Sequence, residues 1–350
     1  MRDIFNVVDI PEKYIIQRES AIAEKLGKLT STELAIIYKN KWFHLLIPKS
    51  LGGAEMTLPE FSKLMEGLAA VDGSFAWNIN LGAGANMFAG FMDQKAASEI
   101  FKSKTACVAG SGTIGGTAKR EDDGFIIDGY WKYASGSAHA TYFSLNAQLT
   151  DSNDEGAFAS FLVPAAEVQI LDTWNVFGMK ATSSCDFKVN NIWVPESFLF
   201  NLQKPSATVD STLYRFPFML LAEINMLVMV SGLAIHFYEL LNELAKDKNF
   251  TIEEVLNEVM PLFLESRKLT FTLLDKLWQE IISKEQIPVE LSRSFNKSVT
   301  RTVQLARQLV DVLYPFAGMK VVFEDTEISR VYRDFKVASQ HGLLSPATRI

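Results

Sequence analysis

The hydrophobic period of this 350-residue chain changes twice along its length, and that change limits the folds open to it. Up to about residue 100, apolar residues recur at the three-to-four spacing of a helix face, predicting helices over 12–29, 31–41, 58–70, 74–91 and 94–102. Thr30 and Glu33 have capping-box spacing, which supports a helix start there, and 47–53 is a turn-rich loop. From 105 to about 200 the pattern becomes short runs of period two between glycine-rich turns: 106–110, 116–120, 125–127, 130–134, 142–149, 157–164 and 186–194. That spacing predicts an antiparallel sandwich or barrel. Beyond Pro205 long helical patterns return over 216–246, 252–283, 288–316 and 326–341, enough for a four-helix bundle. The expectation is an α+β chain with a helical domain at 1–103, a β domain at 104–205 and a helical bundle at 206–350.

Composition narrows the partners. Hydrophobic residues make up 48% and charged ones 21%, the balance of a globular chain. The net charge is −7 and no Lys/Arg run is long enough to track a phosphate backbone, so nucleic acid is not an expected partner. Cys107 and Cys185 lack metal-ligand spacing, which argues against disulfides and zinc. The first residues carry acids and lack an apolar signal-peptide core, which leaves the cytoplasm as the default location. Residues 216–235 are apolar enough to cross a bilayer, but Glu223 and Asn225 sit mid-segment and Pro217 marks a helix start. That segment reads as a core helix rather than a membrane span.

The stretch 124–140 is the most suggestive of a site. Phe125–Ile127 is a β-type run, Asp128-Gly129 a turn pair, and Trp131 and Tyr133 alternate into a second strand. The pattern then dissolves into Ala134-Ser135-Gly136-Ser137-Ala138-His139. Small residues and hydroxyls beside an imidazole suit a backbone that approaches a ligand closely and hydrogen-bonds to it.

Three motifs in order resemble the acyl-CoA dehydrogenase superfamily from about Phe43 to His341. They are Phe43–Pro48 followed by Gly52-Gly53, the gap-free run from Gly178 to Pro195, and Gly318 followed by Arg330-x-x-Arg333-Asp334. The resemblance implies an acyl-CoA-dehydrogenase-like fold, a flavin and a homo-oligomer, tetramer or dimer, joined through the C-terminal helices. Dehydrogenases of the family place Trp-Ile-Thr-Asn where this chain has Tyr133-Ala134-Ser135-Gly136, and their loop Glu-Pro is missing from the region of Gly110 and Ser111. Both departures look more like the oxygenase component of two-component flavin-dependent hydroxylases. That resemblance implies a separate flavin reductase and a small substrate, possibly aromatic.

The same resemblance distributes roles. Ser135 would hydrogen-bond flavin N5, with Gly110, Ser111, Trp174, Thr182 and Ser184 also at the cofactor. Trp77, Asn86 and His139 would face substrate. The dehydrogenase glutamate falls on Gly342, which cannot take a proton, whereas the interval from Arg333-Asp334 to His341 reproduces the hydroxylase histidine. An imidazole there can deprotonate a phenol or assist oxygen transfer. Glu223 keeps a dehydrogenase open, since some members carry their base near that place; its alternative is a structural acid paired with a neighbour such as Arg215. Counting to Phe250, the arginine that meets the FAD pyrophosphate is replaced by Asp247, so FMN stands beside FAD as the flavin. A third alternative is a chain that keeps the fold as a binding or assembly module without chemistry.

Overall fold

The computed structural model describes residues 9–154, 156–203, 206–248, 251–284 and 286–345. Helices α1 (Lys13–Leu26), α2 (Ser31–Asn40), α3 (Leu58–Ala69), α4 (Gly73–Asn86) and α5 (Gln94–Phe101) come first. Local chemistry sets several of their starts. Thr30 accepts from the Glu33 amide at 3.1 Å while Glu33 accepts from the Thr30 amide at 2.8 Å, the expected capping box. Thr57 and Glu60 form a second one ahead of α3, and the Asp72 carboxylate caps α4 through the Phe75 amide.

The β region departs from expectation in two ways. The 124–140 stretch is not a hairpin: β2 (Gly124–Ala134) runs straight through Asp128-Gly129. Its turn lies earlier, at Asp122 with φ 51°, where Glu121 of β1 (Val108–Glu121) faces Gly124. Asp128 accepts instead from the Asn191 amide at 3.2 Å, at a bulge where Asn191 has φ 48°. Gly129 is required because a Cβ there would lie 2.5 Å from Gly116 Cα and 2.6 Å from the Trp131 ring.

The second departure concerns architecture. The strands hydrogen-bond in the order β5-β6-β2-β1-β3-β4-β7, and the β region is not purely antiparallel, since β1 and β3 run parallel. The remaining strands are β3 (Tyr142–Leu149), β4 (Phe158–Pro164), β5 (Gln169–Leu171), β6 (Cys185–Pro195) and β7 (Leu199–Phe200). β1 and β3 pair in parallel because β2 turns back on one side of β1 and the chain returns on the other. Fully buried Trp131 stacks on Phe187 at 5.4 Å and donates its indole N–H to the Asn146 carbonyl at 2.9 Å.

After α6 (Thr212–Arg215) come α7 (Phe218–Lys248), α8 (Glu253–Lys284), α9 (Val289–Leu313) and α10 (Glu327–Ala338). α7 is apolar on all sides because other elements surround it: 78% of its most apolar window is buried within the fold, as expected of a core helix. Gly232 lets α3 approach, since a Cβ there would meet the Ala69 methyl and the Glu66 carbonyl at 2.5 Å each. Beside that contact the buried Glu66 carboxylate receives Arg267 from α8 in two bonds, at 2.8 and 2.5 Å, and the Ser231 hydroxyl at 2.6 Å. Removing one member of a buried pair strands the other charge. Arg267→Ala is therefore expected to lower stability by about 3 to 5 kcal/mol in chemical denaturation. A loss below about 1 kcal/mol would show the pair to be dispensable.

Candidate functional site

The loop that follows β2 and the loop that precedes β6 are stitched together. Tyr133 and Gly136 both have left-handed backbones, at φ 65° and 82°, which turn the chain out of the strand. The Gly136 amide then donates to the Thr182 carbonyl at 2.8 Å, and the Ser137 hydroxyl to the Ser183 carbonyl at 2.6 Å. This juxtaposition brings Ser135, Ser184 and Thr182 into one hydrogen-bonded row. Thr182 lies 2.7 Å from Ser184, and Ser184 lies 2.8 Å from Ser135. Trp77 on α4 closes the row, its indole N–H donating to Ser135 Oγ at 3.1 Å.

The direction of this row follows from proton counting. Thr182 spends its single hydroxyl proton on the Met179 carbonyl, at 2.8 Å. Ser184 must then donate to Thr182, and Ser135 to Ser184. Ser135 is left with one lone pair taken by Trp77 and one remaining, so it offers an acceptor to whatever lies against it.

Ser135 also reaches the wall of a cavity of about 530 Å³ between α4, α7 and β1. Gly110 and Ser111 line the same cavity. Gly110 keeps β1 close to β3, as a Cβ there would lie 2.0 Å from Ser144 Oγ. Trp174 sits one layer back, donating its indole N–H to the Met179 carbonyl at 3.0 Å, the same oxygen that Thr182 holds. His341 packs edge-on against Trp77 at 5.8 Å; burial holds its pKa below the ordinary histidine value, and its Nδ1 accepts from the Leu343 amide at 3.3 Å. His139 backs the Gly136 turn, stacked on Phe43 at 5.4 Å, and burial lowers its pKa to about 4.

Two expected site residues lie elsewhere. Asn86 is a structural clamp: its amide donates to the Phe43 and Ala106 carbonyls, both at 2.9 Å, and accepts from the Val108 amide at 2.9 Å. Both of its donors are spent on the backbone, and it is not among the residues that line the cavity. Glu223 points from α7 into a separate groove with Lys297, Thr300 and Arg301 of α9. There the Asn296 amide, oriented so that both its groups are satisfied, donates to Glu223 Oε2 at 3.1 Å. Helical rotation explains the miss, since neighbouring Ala222, Asn225 and Met226 face the cavity while Glu223 turns away. Arg215, the suggested partner of Glu223, pairs with Asp210 at 2.5 Å. Asp247 lies in a groove with Glu243, Lys320 and Glu327, whereas Phe250 falls outside the described residues.

The Arg-x-x-Arg-Asp signature holds the site together from behind. On α10, Asp334 accepts from the Met179 amide, and Arg333 donates to the Phe177 carbonyl at 2.9 Å. Arg333 also pairs with Glu24 at 2.5 Å, and Arg330 lies 3.7 Å from Asp72, the cap of α4. Sequence reasoning missed Asp72, Asn78, Asn80 and Asn225. Asn78 ties α4 to the Ala181 carbonyl at 3.1 Å, and Asn80 ties it to the Asn225 carbonyl at 3.1 Å. For Asn78 and Asn80 the available signal was the recurrence of asparagines in the apolar sequence of α4.

The chain resembles several proteins of known activity. No family model matches the chain. It is 24% identical over 347 residues to an indole-3-acetate monooxygenase of Acinetobacter baumannii, covering 95% of this chain and 89% of that one. It is 22% identical to the oxygenase subunit HsaA, a flavin-dependent monooxygenase of Rhodococcus jostii, over 92% of this chain and 90% of the relative. Among solved structures, XiaF from Streptomyces in complex with FADH2 and glycerol superposes with a TM-score of 0.87 at 22% identity, over 95% of this chain and 89% of that one. The chain has the acyl-CoA-dehydrogenase-like fold, and the relatives it resembles in sequence are monooxygenases, among them a flavin-dependent oxygenase subunit.

Because burial depresses His139, the imidazole is expected to remain neutral well below the ordinary 6.5, titrating near 4. A histidine with a lowered folded-state value contributes stability above its unfolded value, and that stability is lost as pH falls from about 6.5 through about 4. Imidazole resonances should be flat from pH 8 to about 5, with unfolding midpoints declining below pH 6.5 in the wild type and less so in His139→Gln. Titration of His139 near 6.5 would contradict its burial.

Proposed function

We propose that this protein is the oxygenase component of a flavin-dependent monooxygenase, taking reduced flavin and O2 to a small, ring-bearing substrate. The single observation that carries the reading is the polarity of the Thr182–Ser184–Ser135 row. N5 of a reduced flavin carries a hydrogen, whereas N5 of an oxidised flavin is an acceptor. Ser135 presents an acceptor and therefore suits the reduced form. When bound, the reduced flavin supplies the activation of O2. The chain's own residues fix Ser135 and shape the cavity. His341, kept neutral by burial, lies against Trp77, one ring away from Ser135; with its Nδ1 taken by the Leu343 amide, its Nε2–H is a hydrogen-bond donor.

The dehydrogenase alternative lacks its base, because Glu223 faces another groove and position 342 is glycine. Relatives described as an oxygenase subunit support a separate reductase as partner. Exposed Leu262 and Leu269, one heptad apart on α8, support association into a homo-oligomer, dimer or tetramer. FMN and FAD both remain within the reading, as does a cytoplasmic location.

Anaerobic titration with reduced and oxidised FMN and FAD tests the assignment. The wild type is expected to bind the reduced form more tightly. Ser135→Ala should weaken reduced-flavin binding by about 5- to 30-fold, the worth of one hydrogen bond of about 1 to 2 kcal/mol, with little effect on the oxidised form. Equal losses for both forms would remove Ser135 from N5, and reduction of bound flavin by an acyl thioester would favour the dehydrogenase.

A further inference from the structure

Behind the site, where α1, α2, the start of α4 and α10 meet, buried acids outnumber bases. Glu33 on α2, Asp72 at the cap of α4 and Asp334 on α10 are 0, 2 and 2% exposed. Glu19 and Glu24 reach this corner from α1, and Glu327 from the first turn of α10. Arg333 is matched by Glu24 at 2.5 Å, and Glu19 by Arg18 at 3.8 Å. Lys13 of α1 and His236 of α7 act on Glu327. That leaves Arg330, 3.7 Å from Asp72 and 3.8 Å from Glu327, as the buried cation for Glu33, Asp72 and Asp334 among the described residues. Three carboxylates against one guanidinium would overcharge a dry corner, so a proton must stay in it.

Glu33 is the place for it. Its Oε2 accepts from the Thr30 amide at 2.8 Å, while its occluded Oε1 has no hydrogen-bond donor. No Lys, Arg or His among the described residues pairs with it, and the charges that act on it, Asp72 and Glu19, are both negative. An ionised carboxyl here would rest its buried charge on Thr30 alone. The neutral acid keeps the bond from the Thr30 amide and escapes both repulsions. Asp72 and Asp334 are better served when ionised: Asp72 takes the Phe75 amide at 2.8 Å at the start of α4 and faces Arg330, and Asp334 takes the Met179 amide.

We propose that Glu33 is protonated in the folded protein at neutral pH, and that loss of this proton to solvent at alkaline pH is a switch on the site, the new charge repelling Asp72 and loosening the cap of α4. Trp77 stands about one turn beyond that cap and holds Ser135, so the switch acts on the site from behind. Neither step depends on the oxygenase reading. Burial, and then Asp72, push the Glu33 carboxyl up to about 8. Because that value lies above the ordinary 4.5, the stability Glu33 contributes is whole below about 4.5 and is lost as pH rises through about 8.

Chemical denaturation of the full-length protein tests the proton, with Glu33→Gln keeping an oxygen for the Thr30 amide. Between about pH 7 and about pH 8 the folded-to-unfolded ratio of the wild type should fall about fivefold more than that of the variant. In infrared spectra the wild type should show the carbonyl stretch of a protonated carboxyl that vanishes through about pH 8, a component that Glu33→Gln should lack. Should the glutamine fail to fold, Asp72→Asn, which retains a capping side chain, should move the same titration to lower pH. Amide hydrogen exchange tests the switch: protection of the Phe75 amide, which Asp72 caps, should drop in the wild type relative to Glu33→Gln between about pH 7 and about pH 9. A ratio that falls as steeply in Glu33→Gln as in the wild type, or the absence of a carboxyl titrating near pH 8, would overturn the proposal. Equal protection of Phe75 in both proteins above that pH would overturn the switch.

Discussion

The contact on which the site depends is the seating of α10 against the loop before β6. Asp334 takes the Met179 amide, Arg333 holds the Phe177 carbonyl and Glu24, and Arg330 stands against Asp72. These are buried charges, costly unless paired, and here each is compensated by an opposite charge or a backbone dipole. Burial, and then the nearby Asp72, push the Asp334 carboxyl up to about 7, while the Met179 amide and Arg330 pull it back down. Gly178 is part of the fit. A Cβ there would lie 2.3 Å from the Arg333 carbonyl, so α10 could not seat against any other residue.

That seating fixes the Met179 carbonyl, and the carbonyl fixes everything in front of it. With φ 54° at Met179, its oxygen is turned toward both the Trp174 indole and the Thr182 hydroxyl. Thr182 can then only accept from Ser184, and the preference passes along the row to Ser135. On the opposite side, Asp72 caps α4 and sets the turn from which Trp77 and Asn80 project. One short helix near the C-terminus thus sets both walls of a site built from other elements.

Much of this was readable from residue patterns, because the helices advertise their faces and caps locally. Thr30 with Glu33 is one case, and the long apolar run of α7 is another. The β2 strand was misread as a hairpin for a physical reason: Asp128-Gly129 is a turn pair only when no neighbouring strand uses it. Here Gly129 makes room for Trp131, and Asp128 answers a bulge on β6. Ser135 stood out through its small, hydroxyl-bearing neighbours, whereas Gly110 and Ser111 followed only from the family resemblance; all three line the cavity. Asn86 and Glu223 were not legible, since whether a polar residue in an apolar helix clamps a loop or faces a cavity depends on tertiary rotation. Asn80 and Asn225 were hidden by the same ambiguity, resolved in the other direction.

On the proposed function, a polarised row of hydroxyls offers the flavin an acceptor. The midpoint potential of flavin bound at saturating protein measures it directly, because tighter binding of the reduced form raises that potential above the value for free flavin. One hydrogen bond gained only on reduction should raise it by about 20 to 40 mV. The shift should diminish in Ser184→Ala, where Ser135 is free to turn its proton outward. A bound potential equal to or below that of the free flavin would contradict the account.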